Sequence, residues 1–182
     1  MDLNIKGKWA LVTGGANGIG EDISLQFAKE GVNIIITSRT DAPIQRLKDK
    51  LSDYLDKNLI VYFYPKDMTP GCTTESIEFN KNLSKIKRVG WNIIGVSRDS
   101  IKSHVKFIEK HKFKFHLISD EDEKICNTFD VIREKRLYGR KYMGIDRSTF
   151  LLNKKLTILH LWRTVKVKGH VDEVINKIKE IK

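Results

Sequence analysis

The residues best suited to chemistry sit in one stretch, VYFYPKDMTPGCTTE at residues 61–75. The β-branched and aromatic run at residues 59–64 reads as a strand, and Pro65 ends it because proline has no N–H to give a ladder. Pro70 and Gly71 punctuate the loop that follows. Beyond Cys72 the apolar residues Ile77, Leu83 and Ile86 recur at helical spacing, with Glu75, Glu78, Lys81 and Lys85 mostly off that face. Cys72 is therefore expected in the first turn of a helix. Unpaired N–H groups and the positive end of the helix dipole favour an anion there, so Cys72 is the expected nucleophile, acting as a thiolate. A cysteine serving only as a small buried hydrophobe would not need so polar and glycine-containing a setting.

The remainder of the chain bounds what such a cysteine can be part of. Its 182 residues suffice for one well-buried domain, or for one domain with an appended piece, but not for two ordinary domains. The longest apolar runs, at residues 32–36 and 158–162, are far shorter than the roughly 20 residues of a membrane helix, and the N-terminus has no signal-peptide pattern. A soluble, cytoplasmic protein is expected, with no membrane partner. Two cysteines, Cys72 and Cys126, make no disulfide scaffold and read as free or redox-active thiols. The net charge is +11 and the pI about 9.6, but Lys and Arg are spread from Lys6 to Lys182 among Asp and Glu. That distribution reads as a solvated surface and not as a specific nucleic-acid site.

At the N-terminus a short apolar strand at residues 8–13 runs into TGGANGIG at residues 13–20. A helical stretch at residues 21–30 follows, closed by Gly31, and then a second strand at residues 32–37. Glycines in such a first turn let backbone approach a pyrophosphate, whose charge the helix start can bind. Residues 1–40 resemble the first βαβ unit of short-chain dehydrogenases/reductases, with Thr13, Gly14, Gly18 and Gly20 in the family's T-G-x-x-x-G-x-G pattern and Ile19 between its last two glycines. The resemblance implies nucleotide binding by these residues, and Arg39, placed after the second strand, implies NADP over NAD. The unit stops near Thr40. Tyr62 and Lys66 have the spacing of that family's catalytic Tyr-x-x-x-Lys pair, but they lie on a strand and across Pro65, where residues four apart share no helical face. Residues 1–40 are therefore read as a Rossmann-like remnant, with an NADP-binding dehydrogenase-like oxidoreductase as the alternative. Residues 41–50 form a seam, and residues 44–56 are polar and expected to be helical in part.

From residue 51 to 182 the chain resembles peroxiredoxins, specifically the bacterioferritin-comigratory (Q-type) branch. The P-x-x-x-T/S-x-x-C signature falls on Pro65, Thr69 and Cys72. Further matches are GVSRDS at residues 95–100, HLISDEDEKIC at 116–126, YGRKYMGIDRSTFLLN at 138–153 and VKVKGHVDEV at 165–174. The resemblance implies a thioredoxin-like α/β fold and a thiol-dependent peroxidase that reduces hydrogen peroxide and organic hydroperoxides, needing no cofactor. Breaking an O–O bond by thiolate attack requires a donor for the attacked oxygen and positive charge for the leaving one. Cys72 attacks. Thr69, one loop turn before it, is expected to donate to the peroxide while accepting from a backbone N–H. Arg147, placed by the family pattern at the start of the RSTFLL strand, brings a permanent cation. Pro65 shields the thiolate, and the N–H groups of Gly71 and Cys72 complete the cradle.

Attack leaves a sulfenic acid that another thiol must reduce. Many Q-type members carry a resolving cysteine five positions on, where this chain has Ile77. Cys126 is the other candidate but reads as a half-buried packing residue. The expectation is a one-cysteine cycle, with thioredoxin, glutaredoxin or a small thiol reducing Cys72 directly in a monomer or weak dimer. The elements that must position this site are strands at residues 92–96, 116–118, 148–152 and 157–163 and helices at 101–111, 124–129 and 170–181, with a hairpin turn at 153–156. His104, His111, His116, His160 and His170 lack metal-ligand spacing, so no metal is expected. Tyr142 and Trp162 read as core or pocket wall.

Overall fold

The computed structural model describes residues 4–37, 57–137 and 140–181. Arg39, the 41–50 seam and the partly helical stretch expected at residues 44–56 lie outside them. The chain divides into two compact units, Met1–Asp56 with Lys154–Thr157, and Lys57–Asn153 with Ile158–Lys182.

In the first unit β1 (Trp9–Thr13), α1 (Gly18–Lys29) and β2 (Asn33–Thr37) form a parallel βαβ motif, Trp9 opposite Asn33 and Thr13 opposite Thr37. The helix begins at Gly18, three residues earlier than its pattern suggests, because the last glycines of the loop form its first turn. Gly14 takes a φ of +66°, a left-handed conformation that suits glycine. A Cβ on Gly20 would lie 2.4 Å from the Gly14 carbonyl oxygen, so the loop closes only on a bare backbone. Ser24 ties the turn by donating to the carbonyls of Gly15 and Gly20 at 3.0 and 2.8 Å.

The second unit is built on a five-stranded mixed sheet. Its strands are β3 (Asn58–Phe63), β4 (Trp91–Ser97), β5 (His116–Ser119), β8 (Ser148–Leu152) and β9 (Ile158–Trp162), in the order β5-β4-β3-β8-β9. β3, β4 and β5 run parallel, joined by α2 (Pro70–Arg88) and α3 (Ile101–His111), while β8 is antiparallel to both β3 and β9. A short α4 (Lys124–Thr128) and a C-terminal α5 (His170–Glu180) complete it.

Alternation along β3 explains the layers. Ile60, Tyr62 and Tyr64 point to one face and join Phe79, Leu83 and Ile86 of α2, Phe107 of α3 and Val174 and Ile178 of α5 in the main core. Val61 and Phe63 point to the other face. There Phe129, at the end of α4, packs with Phe63 and Phe150 at ring-centroid distances of 5.1 and 4.9 Å. Cys72 belongs to the first core, whereas Cys126 is carried by the helix on the opposite face.

One element was not expected. β6 (Ile132–Leu137) and β7 (Arg140–Ile145) form an antiparallel hairpin before the strand that follows Arg147. IREKRL carries charge on both faces and so shows no apolar alternation. Its stability comes from cross-strand pairing, including Glu134 with Lys141 at 3.0 Å. Tyr142, expected as core or pocket wall, is exposed on this hairpin, while Trp162 packs partly buried against the main core.

The β3–β4 contact sets a sharp steric limit. A Cβ on Gly95 would lie 2.7 Å from the ring and hydroxyl of Tyr62 and 2.7 Å from Leu117. Because a dense core resists overpacking, Gly95→Ala should lower unfolding free energy by about 1–3 kcal/mol, measured by urea denaturation.

Candidate active site

β3 delivers the chain to Pro65, and residues 65–69 form the turn that starts α2. Thr69 is the N-cap residue and Pro70 the first helical residue, where the missing N–H costs nothing. The helix thus begins two residues before Cys72. The amides of Gly71 and Cys72 precede the first i−4 carbonyl bond of the helix, which runs from the Thr73 amide to the Thr69 carbonyl at 2.9 Å. Cys72 itself is buried, with 1% of its surface exposed.

Arg147 arrives from the short link between β7 and β8. Its Nη2 donates to Cys72 Sγ at 3.2 Å. Its Nη1 makes a short charged contact with the Oε2 atom of Glu75. The guanidinium is therefore held between a carboxylate and the sulfur. Burial by itself would disfavour the cation, but Glu75 and Cys72 beside it more than offset that and keep it charged.

Glu75 corrects the helical reading, which placed it mostly off the apolar face. It is 0% exposed, one turn after Cys72 on the same side of α2. Burial pushes its carboxyl up to about 7, with Arg147 pulling the other way, and its Oε1 has no hydrogen-bond partner among the described residues. Spacing from Cys72 could have revealed it, because a residue three positions on shares the cysteine's face whatever its polarity. Thr69 also differs from expectation. Its hydroxyl accepts no helix N–H and instead donates to the Lys66 carbonyl at 2.9 Å.

His170, at the start of α5, is a further buried neighbour without a sequence signal. Its Nε2 bonds Thr149 Oγ1 at 2.7 Å, and its ring packs edge-on against Phe79 and Trp162. Burial, and then the nearby charge of Arg147, push it down to about 4. Cys126 is fully buried rather than half-buried. Burial, reinforced by the Asp120 carboxylate, pushes its thiol well up, which disfavours the nucleophilic thiolate. Both cysteines are free.

The site thus unites Pro65, Thr69, Cys72, Glu75 and Arg147 at one end of the central strands. Thr13, Gly14, Gly18, Ile19 and Gly20 lie in the other compact unit. Among the described residues no cluster of three or more His, Cys, Asp or Glu could hold a metal ion, and no helix is long and apolar enough to cross a membrane.

Residues 44–161 match the model of the AhpC/TSA family. Peroxiredoxin Bcp of Xanthomonas campestris is 53% identical over 121 residues, which covers 66% of this chain and 76% of that protein. Peroxiredoxin Bcp of Bacillus subtilis is 48% identical over 132 residues, covering 72% and 84% respectively. Among solved structures, Xanthomonas campestris peroxiredoxin Q aligns with a TM-score of 0.67 at 50% identity, over 71% of this chain and 82% of that one. The bacterioferritin comigratory protein of the same organism, studied for its alkyl peroxide reduction activity, aligns with a TM-score of 0.67 at 49% identity over 71% and 83%. These likenesses support a thiol peroxidase and set aside the dehydrogenase reading of the chain.

Two of the buried groups have opposite pH linkage. Glu75 takes its proton in the folded state first, so its contribution is full below about 4.5 and is lost as pH rises through 7. His170 takes its proton in the unfolded state first, so its contribution is full above about 6.5 and is lost as pH falls towards 4. Each is worth about 3 kcal/mol on this scale, and between pH 5 and 6.5 they oppose one another. Relative to wild type, Glu75→Gln should therefore lose stability as pH falls from 7 to 5, and His170→Gln should gain it. Urea titrations of all three proteins across that range provide the check.

Proposed function

Because the chain belongs to the AhpC/TSA family, in its peroxiredoxin Bcp branch, and is a thiol peroxidase, we propose that Cys72 is its peroxidatic residue, with Arg147, Thr69 and Pro65 as the remaining catalytic groups. The observation that carries this assignment is the 3.2 Å contact from Arg147 Nη2 to Cys72 Sγ, made by a guanidinium that Glu75 fixes from behind. A permanent cation at that distance donates to the sulfur and remains beside it as charge develops on the leaving oxygen.

The thiolate attacks one oxygen of the hydroperoxide in line with the O–O bond. A sulfur–oxygen bond forms, the O–O bond breaks, and Cys72 becomes a sulfenic acid. The leaving hydroxide or alkoxide takes a proton from solvent and departs as water or alcohol. The Gly71 and Cys72 amides and Arg147 hold the two oxygens. Thr69 exchanges its bond to the Lys66 carbonyl for one to the peroxide, and Pro65 keeps water from the sulfur. A first reductant thiol then condenses with the sulfenic acid and releases water. A second thiol displaces Cys72 from that mixed disulfide and restores the thiolate.

Hydrogen peroxide and organic hydroperoxides are the substrates, in keeping with the alkyl peroxide chemistry studied in the Xanthomonas campestris relative. Thioredoxin, glutaredoxin or a small thiol reduces Cys72 directly, in a cytoplasmic monomer or weak dimer. The buried, protonation-favoured thiol of Cys126 and the residue Ile77 both speak for this one-cysteine cycle. Residues 51–182 form the peroxidase domain, and residues 1–40 a Rossmann-like piece outside the catalytic cycle.

Hydroperoxide turnover, followed by NADPH consumption through thioredoxin reductase and thioredoxin, tests the assignment. Cys72→Ser should abolish turnover, Arg147→Ala should lower kcat/KM by about 10²–10³-fold, and Cys126→Ser should leave it unchanged. Unchanged turnover in Cys72→Ser would sink the reading. A Cys72–Cys126 disulfide in peptide maps of the oxidised protein would overturn the one-cysteine cycle.

A further inference from the structure

Behind the catalytic loop lies a polar cluster that the reaction as described does not use. Asp67 is only 4% exposed, although it sits in a surface turn between Pro65 and Thr69. Its Oδ1 accepts from the Tyr64 hydroxyl at 2.8 Å, and its Oδ2 accepts from the Ser103 hydroxyl at 2.7 Å and meets His104 Nδ1 at 2.9 Å. Ser103 and His104 belong to the first turn of α3, so this carboxylate fastens the loop to a second helix. Burial works against its charge, but the donors of His104, Ser103 and Tyr64 prevail and hold it below the usual carboxylate range.

The backbone of the same residue is also held. The Asp67 amide donates to Asp99 Oδ2 at 2.8 Å, and that oxygen accepts from the Ser97 hydroxyl at 2.7 Å. The carbonyl of this peptide unit is Lys66 O, the group that receives the Thr69 hydroxyl at 2.9 Å. One peptide plane is therefore fixed by Asp99 on its N–H side and orients Thr69 on its carbonyl side. The next residue, Met68, has a φ of +60°, a conformation that a side chain of its kind rarely adopts and that persists only where the surroundings over-determine it. Among the described residues His104 Nε2 is buried without a hydrogen-bond partner, so the ring's polar contacts are those of Nδ1.

We propose that Asp67 is a positioning residue of the peroxidase site, which, clamped by His104, Ser103 and Asp99, fixes through the Lys66–Asp67 peptide the carbonyl that holds the Thr69 hydroxyl in place until it turns to the peroxide. This rests on the assignment of Cys72 and Thr69 above. Asp67 itself touches neither sulfur nor substrate. Its removal should slow the attack on peroxide without changing the accessibility of the cysteine.

Single-turnover oxidation of the reduced full-length protein by hydrogen peroxide, paired with alkylation of Cys72 by iodoacetamide, separates these effects. His104→Leu and Asp67→Asn should oxidise about 10–100-fold more slowly than wild type, with the alkylation rate within about twofold. His104→Asn, whose amide can reproduce the Nδ1 donor, should restore most of the oxidation rate. Should either disruptive variant fail to fold, Ser103→Ala removes one donor from the same oxygen and should still slow oxidation severalfold. Wild-type oxidation rates in His104→Leu or Ser103→Ala would overturn the proposal. So would faster alkylation in step with the loss, which would mark general loosening of the helix start. A wild-type protein in which peroxide does not oxidise Cys72 would instead overturn the assignment on which the inference rests.

Discussion

A single buried guanidinium faces two groups that both favour its charge. Arg147 lies between Glu75 and the sulfur of Cys72, and all three are largely removed from water. In water such contacts would be weak and mobile; in a low-dielectric interior each group is costly alone and is stabilised by the others. Removing the carboxylate leaves the cation unanchored, and removing the cation leaves a buried acid beside the cysteine sulfur. The surrounding structure must therefore hold the three groups in register.

The sheet does this by combining two strand directions. Parallel β3 and β4 direct their following loops to one end, where the turn at residues 65–69 and the start of α2 place Cys72 and Glu75. Antiparallel β8 begins at that same end, so the residue just before it, Arg147, reaches a cysteine 75 positions away in the chain. Gly95 permits the close approach of Tyr62 between these strands, and Tyr62 in turn bonds Ser76 of α2 at 2.9 Å. The packing of the core and the placement of the sulfur are thus one problem.

Other polar groups tie these elements to the helices around them. Thr149 and His170 tie β8 to α5, and Asp67 ties the turn at residues 65–69 to α3. Each is a short-range bond between elements far apart in sequence, made where water is excluded. Such bonds cost little once the backbone is in place and fix side-chain directions that apolar packing alone leaves loose.

Much of this was legible in the chain. A strand stopped by Pro65, a turn with Pro70 and Gly71, and helical spacing afterwards suffice to put Cys72 at a helix start, because those signals act over a few residues. The strands and helices that show apolar periodicity follow equally from local pattern. Glu75 was legible only as sharing a helix face with Cys72, since its charge argues for solvent and only Arg147 makes its burial tolerable. The β6–β7 hairpin was not legible, since its charged strands exist through pairing and carry no apolar face of their own. The sequence by itself determined that the Cys72 sulfur stands at a helix start and which elements frame it. Only the tertiary structure decided which partners that atom has, because Arg147, Glu75 and the clamp behind Thr69 are joined by a desolvated geometry that no local stretch encodes.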